Sequence, residues 1–144
     1  MSAIRILVVD AFPAIRAMIC DIIAQWKGSP VLQVVAEASN ALEGVQKVVE
    51  LCPDVVLLDI ALPEISGLEA ARRIRNQLPE CKVLFVSQQH SPMLVLEALN
   101  SGAQGYILKS DIAVELIHAL QALALNRQFV SYRIACQLNP QTGK

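Results

Sequence analysis

Four side chains stand directly behind short apolar runs: Asp10 after IRILVV, Asp59 after DVVLL, Ser87 after VLFV and Lys109 after GYIL. Two carboxylates, a hydroxyl and an ammonium brought to one crevice could hold a divalent cation and an anionic phosphoryl group. Mg²⁺ takes one or two carboxylates and completes its octahedron with phosphate oxygens and water. Phosphoryl transfer needs in-line positioning and neutralisation of the equatorial oxygens more than covalent help. In such a site Asp59 would attack as the nucleophile, while a metal, Lys109 and Ser87 share the charge of the transferred group. A single acid or hydroxyl behind a strand is ordinarily a cap or turn residue, so the inference rests on all four holding the same place in the pattern.

The elements that must carry them can be read from the spacing. Apolar runs at Ile4 to Val9, Leu32 to Ala36, Val55 to Leu58, Val83 to Val86 and Tyr106 to Leu108 alternate with helical patterns, the rhythm of βαβ units. Runs such as ILVV and VVLL are continuous instead of alternating, as expected for parallel strands covered on both faces. In an open parallel sheet, ligands bind outside the carboxyl ends of the strands, which is where the four residues fall.

Ile15, Met18, Ile19, Ile22, Ile23 and Trp26 recur at helical spacing after Pro13, and Gly28, Ser29 and Pro30 end that helix. Leu42, Val45 and Val49 mark a second helix before Pro53, and Leu68, Ala71, Ile74 and Leu78 a third before Pro79. Ser110 is a plausible N-cap for the last helix. Met93 to Leu99 and Ile112 to Leu125 carry apolar residues on more than one helical face. Either the flanking chain covers that excess or a protein partner does, and a homodimer through these surfaces is the expected case.

Composition narrows the classes. The chain has 144 residues, 54% hydrophobic, 17% charged and a formal net charge of -1, enough for one compact domain and too neutral for a basic nucleic-acid binder. Its apolar stretches are too short to span a membrane and the start shows no signal peptide, which points to the cytoplasm. Cys20, Cys52, Cys81 and Cys136 lack metal spacing and are expected to be reduced thiols. His90 and His118 lack ligand-spaced partners and receive no role, and Arg72, Arg73 and Arg75 are expected on a solvated helix face. Residues 1-125 are expected to form the domain, and residues 126-144 a tail or the start of a linker.

The segments ILVVDAFP, DVVLLDIALPEISG, VLFVSQQH and GAQGYILKS, in that order, resemble the response-regulator receiver family of two-component signalling across Ile4 to Leu125. The resemblance implies a three-layer α/β/α sandwich of flavodoxin-like type, with a five-stranded parallel sheet in the order 2-1-3-4-5. It implies Asp59 as phosphoacceptor, served by a histidine kinase, with Lys109 as phosphate counterion and Ser87 as switch hydroxyl. Asp10, Asp59 and the backbone carbonyl of Ala61 would hold Mg²⁺, and Tyr106 would change rotamer on activation. Such a protein is a switch and not an enzyme beyond self-phosphorylation and slow autodephosphorylation. The LKS ending and the segment NRQFVSYRIACQL are similar to the NarL/FixJ branch, in which a helix-turn-helix domain follows; here the chain reads either as a single-domain regulator or as a receiver separated from its output domain.

Two positions depart from the family pattern. The family usually has a second acid where Ala11 stands, and a small residue where Gln88 stands. An opposite unit-charge pair about 4 Å apart is worth about 4 kcal/mol gross at an effective dielectric near 20, so losing the acid weakens Mg²⁺ binding. Glu64 is a conceivable substitute. These changes leave open a phosphorylation-independent pseudo-receiver that works as a binding or dimerisation module. A flavin carrier is disfavoured, because DAFP lacks the small-residue cradle that a cofactor phosphate requires.

Overall fold

The structure is a computed structural model and describes residues 3–138. The chain alternates strand and helix: β1 (Ile4–Val9), α1 (Pro13–Gln25), β2 (Leu32–Ala38), α2 (Ala41–Leu51), β3 (Val55–Leu58), α3 (Gly67–Gln77), β4 (Lys82–Ser87), α4 (Pro92–Asn100), β5 (Gly105–Leu108), α5 (Ile112–Ala124), β6 (Phe129–Val130) and α6 (Tyr132–Leu138). All strand pairs are parallel.

The continuous apolar runs are buried on both sheet faces, as their composition requires. Leu7, Val9, Val56, Leu58, Phe85 and Tyr106 point to one side, where they meet Val48, Ile74, Val95 and Ile134 from α2, α3, α4 and α6. Ile6, Val8, Leu57, Leu84, Val86 and Ile107 point to the other, against Ile19 and Ile23 of α1 and Leu116, Leu120 and Leu123 of α5. Each such side chain contributes about 1.5–3 kcal/mol by leaving water. This double burial lets neighbouring strands end together at one polar rim.

Local chemistry sets the helix starts. Pro13 occupies the first turn of α1 as expected. Asn40 caps α2 by accepting the Glu43 amide (2.9 Å), and Glu43 accepts the Ser39 amide in return (2.7 Å). Ser66 caps α3 through the Glu69 amide (3.2 Å). A Cβ at Gly67 would lie 2.0 Å from the Asp59 carbonyl oxygen, so only glycine lets α3 begin this close to the end of β3. Trp26, expected inside α1, lies just past it, and its indole N–H donates to the Pro30 carbonyl (2.9 Å). Ser110 does not cap α5: Lys109–Asp111 form a single 3-10 turn, and Asp111 precedes the helix.

The sheet has six strands in the order β2-β1-β3-β4-β5-β6, one more than expected. Phe129 and Val130 pair with Gly105 and Tyr106 of β5, giving partners to backbone groups that would otherwise face solvent at the sheet edge. Two residues are too few to announce a strand in sequence. The chain then turns back through α6 onto α4 and buries Ile134 completely. Residues 126–138 are therefore built into the domain, whereas the expected tail's last part, residues 139–144, lies outside the described residues.

The excess apolar surface divides accordingly. Around α4 the same core cluster takes in Leu94 and Leu99 together with Val130 and Leu138 of the C-terminal segment, while Met93 remains 82% exposed. On α5, Ile112, Leu116, Ala119, Leu120 and Leu123 are buried, and Val114 is 73% exposed. Among the described residues no helix is long and apolar enough to cross a membrane. All four cysteines are free thiols, and burial above all pushes the Cys81 thiol up to about 12.

Candidate functional site

The register brings the acids together. Val9 is paired with Leu58, so Asp10 and Asp59, each one residue further, leave β1 and β3 side by side. Lys109 follows β5, two strands away, and its Nζ lies 2.8 Å from Asp10 Oδ2 and 3.0 Å from Asp59 Oδ2. All three are buried, at 2%, 2% and 8% relative exposure for Asp10, Asp59 and Lys109. Burial works against the ammonium, but its hydrogen bonds to Asp10 and Asp59 outweigh that and hold the Lys109 pKa above its ordinary 10.5.

The remaining carboxylate oxygens are fixed by the backbone that follows them. Asp10 Oδ1 accepts from the Phe12 amide (2.9 Å) and Asp59 Oδ1 from the Ala61 amide (3.2 Å). These two-residue loops are the local turns aspartate favours, and they aim both acids into the rim. Asp59 is further anchored by its own amide, which donates to the Val9 carbonyl (3.1 Å).

Ser87 ends β4 between the acids and the lysine. It is fully buried, and its Oγ accepts from the Gln89 amide (3.1 Å). Asp59, Ala61, Ser87, Gln88 and Lys109 line one small crevice of about 130 Å³, with Gln88 at its exposed edge. Tyr106 lies fully buried behind the β4–α4 loop, where its hydroxyl donates to the Gln89 carbonyl (2.7 Å) and its ring sits 6.1 Å from that of Phe85. Burial is the main reason its pKa is raised.

Every site residue expected from the sequence thus lies in the rim, in its crevice or, for Tyr106, immediately behind it. Ala11 is half-buried and its side chain offers no ligand atom, while Glu64 is exposed with a φ of 67° and has no hydrogen bond or ion pair to the rim. His90 lines a larger cavity between the rim and α6, which shares Gln88 and Lys109 with the crevice. Arg72 and Arg73 of the solvated group pair with Glu69 on α3, which holds that carboxyl near 2. Phe12, whose pattern in the sequence marks no role, has its ring centroid 5.0 Å from Lys109 Nζ, a cation–π distance. An aromatic directly behind an acid-bearing strand was the available signal.

Chemically, two carboxyl groups share a single ammonium in a buried place. Among the described residues no group of three or more His, Cys, Asp or Glu is placed to hold a metal ion, and alanine at position 11 adds no carboxylate to the two at the rim. Two carboxylates are nevertheless within the normal protein share of a Mg²⁺ shell whose other positions go to phosphate and water. The donor set fits that ion.

The class of molecule is defined by this combination: a flavodoxin-like, doubly wound α/β domain with acids behind β1 and β3 and a lysine behind β5. The chain belongs to the response regulator receiver domain family, whose model matches residues 6–121, and is a receiver of two-component signalling. It is 36% identical over 135 residues to response regulator GacA of Pseudomonas viridiflava, covering 94% of this chain and 62% of that protein. It is 39% identical over 121 residues to the chemotaxis protein CheY of Listeria monocytogenes, covering 84% of this chain and 98% of that one. A crystal structure of a LuxR-family two-component response regulator from Aurantimonas sp. superposes with a TM-score of 0.88 at 32% identity, covering 99% of this chain and all of the other. The chain therefore spans less than two thirds of the GacA length it matches but nearly all of the CheY length.

Proposed function

We propose that Asp59 is the phosphoacceptor of this receiver and that a histidine kinase supplies the phosphoryl group. The single observation carrying the reading is the buried Asp10–Lys109–Asp59 bridge, with distances of 2.8 and 3.0 Å. It holds the nucleophile beside an ammonium whose pKa is raised, at a rim where Ser87 also lies. In the transfer, an Asp59 carboxylate oxygen forms a bond to phosphorus as the P–N bond of a phosphohistidine breaks, and the imidazole leaves with the electron pair. Lys109 neutralises one equatorial oxygen of the phosphoryl group and Ser87 donates its hydroxyl to another.

Asp10, Asp59 and the Ala61 carbonyl would hold Mg²⁺, which when bound supplies charge neutralisation at the phosphoryl oxygens. With alanine at position 11 that binding is weaker than an acidic pair would give. Tyr106 and Ser87 act as the switch pair through Gln89, which both contact. The exposed apolar residues Met93 and Val114 support homodimer contacts through helix faces, and the domain works in the cytoplasm without itself contacting nucleic acid. It turns over no substrate beyond its own acyl phosphate.

Treatment with acetyl phosphate and Mg²⁺, followed by phosphate-affinity electrophoresis and mass analysis, tests the assignment. The wild type should gain one phosphoryl group, lost in Asp59→Asn. An unmodified wild type under saturating conditions would reject phosphoacceptance and leave a phosphorylation-independent binding module.

A further inference from the structure

The segment behind α5 is tied to the rim by specific hydrogen bonds. Ser131 is fully buried. Its amide donates to the Tyr106 carbonyl (2.9 Å), and its Oγ accepts from the Leu108 amide (2.9 Å). The same hydroxyl donates to Glu115 Oε1 on α5 (2.5 Å), while Glu115 Oε2 accepts from the Tyr132 amide (3.0 Å). One serine thus joins β5, α5 and the C-terminal arm. Beyond it, Ile134 is fully buried in the cluster that contains Val95, Ala98 and Tyr106, and a cavity of about 550 Å³ opens between α6 and the rim, lined by Gln88, Lys109, Arg133 and Gln137 among others.

We infer that residues 129–138 are an intramolecular cover of the α4–β5 face, latched by Ser131 and Glu115, whose release is coupled to occupancy of the rim at Asp59. The inference rests on the phosphoacceptor reading for the identity of the occupant, but the coupling has a structural basis of its own. The Leu108 amide lies beyond the two residues of β5 that pair with β6, so Ser131 is its partner. Leu108 is followed directly by Lys109, whose ammonium holds Asp59. A group that arrives on Asp59 must draw Lys109 into a new position, and that displacement is applied one residue from the latch.

The other end of the same short segment is held as well. Ser131 N–H grips the Tyr106 carbonyl, and the Tyr106 hydroxyl reaches Gln89 behind Ser87. Motion of either switch residue therefore strains a backbone bond to the arm. The docked arm hides apolar α4 surface, so its release changes what the domain presents to other molecules. Linkage makes the effect reciprocal: a broken latch must favour the occupied rim by the same factor that occupancy loosens the latch.

Hydrogen exchange resolved by residue, with beryllofluoride plus Mg²⁺ as the probe, tests this. Binding of the probe is followed independently by its own fluorine resonance. In the wild type, saturation should speed exchange of the Leu108, Ile134 and Ala135 amides about 10-fold relative to the central strands. Ser131→Ala and Glu115→Ala should each show fast exchange there before any probe is added, and should bind the probe more tightly by the same factor of about 10.

Bound probe with unchanged exchange over 129–138 would overturn the coupling and make the arm a fixed part of the fold. If no probe binds, the phosphoacceptor reading is what has failed. The latch is then judged on Asp59→Asn alone, which removes one charged partner of Lys109: faster exchange in the arm supports coupling, and unchanged exchange overturns it.

Discussion

Two buried polar clusters flank the end of β5, and they are built on opposite principles. At the rim, Lys109 serves two carboxylates at once and leaves one negative charge unbalanced. At the latch, one neutral hydroxyl both accepts and donates, and a single carboxylate takes the donors that remain. Saturated networks rigidify a structure, whereas an excess of buried anionic acceptors is costly until a cation joins it. The last residue of β5 and the one directly after it thus carry a saturated site and an unsaturated one.

Removing the cation from the rim is the largest expected perturbation. Lys109→Met leaves two buried carboxylates without a counter-ion and should cost about 3 kcal/mol in urea denaturation at neutral pH. The pH dependence sharpens the contrast. Because the folded pKa of Lys109 is raised above 10.5, its stabilisation is fully present below that pH and is lost as pH rises toward the folded value. Alkaline melts of Lys109→Met should lack that loss, and a wild-type-like alkaline phase in the variant would show that the rim does not dominate there.

Breaking the latch comes next. Ser131→Ala strands the buried Leu108 amide and should lower stability by about 1–2 kcal/mol, with no alkaline component of its own. Thermal melts that show no loss would mean that water or a shifted backbone satisfies the amide.

Adding charge to the rim is smaller in effect. Ala11→Asp should lower metal-free stability by on the order of 1 kcal/mol, given solvent screening at a half-buried position, and should tighten Mg²⁺ binding in titration calorimetry. Unchanged melts with and without Mg²⁺ would count against position 11 facing the metal. Smallest is Phe12→Ala, which removes the cation–π contact with Lys109 and should cost about 0.5 kcal/mol, read as a slight drop in melting temperature that disappears in a Lys109→Met background.

The same contrast governs what the sequence disclosed. Asp10, Asp59, Ser87 and Lys109 each close an apolar run, so the strand pattern located them and parallel topology brought them to one edge. Ser131 and Glu115 close nothing. Glu115 sits on a helix as an ordinary polar residue, and Ser131 lies between a two-residue strand and a seven-residue helix, both too short for periodicity to register. Their partnership is purely tertiary. Ser110 misled for a related reason: a serine before a helical pattern is a frequent cap, but here the chain first makes a 3-10 turn that swings Lys109 inward. The apolar excess on α4 was visible, whereas its partial occupant α6 was not, because Ile134 alone of that helix is completely buried.

The strand order has a consequence for the choice of cation. β4 stands between β3 and β5, so the charge that leaves β5 must cross roughly two interstrand spacings, about 9–10 Å in all, before it meets the aspartate of β3. A four-carbon stem, the aspartate side chain reaching back and the 3.0 Å contact between them together bridge that gap, and the compact ammonium fits between two acids where a planar guanidinium would need a wider slot. Reach, as much as charge, is what position 109 selects.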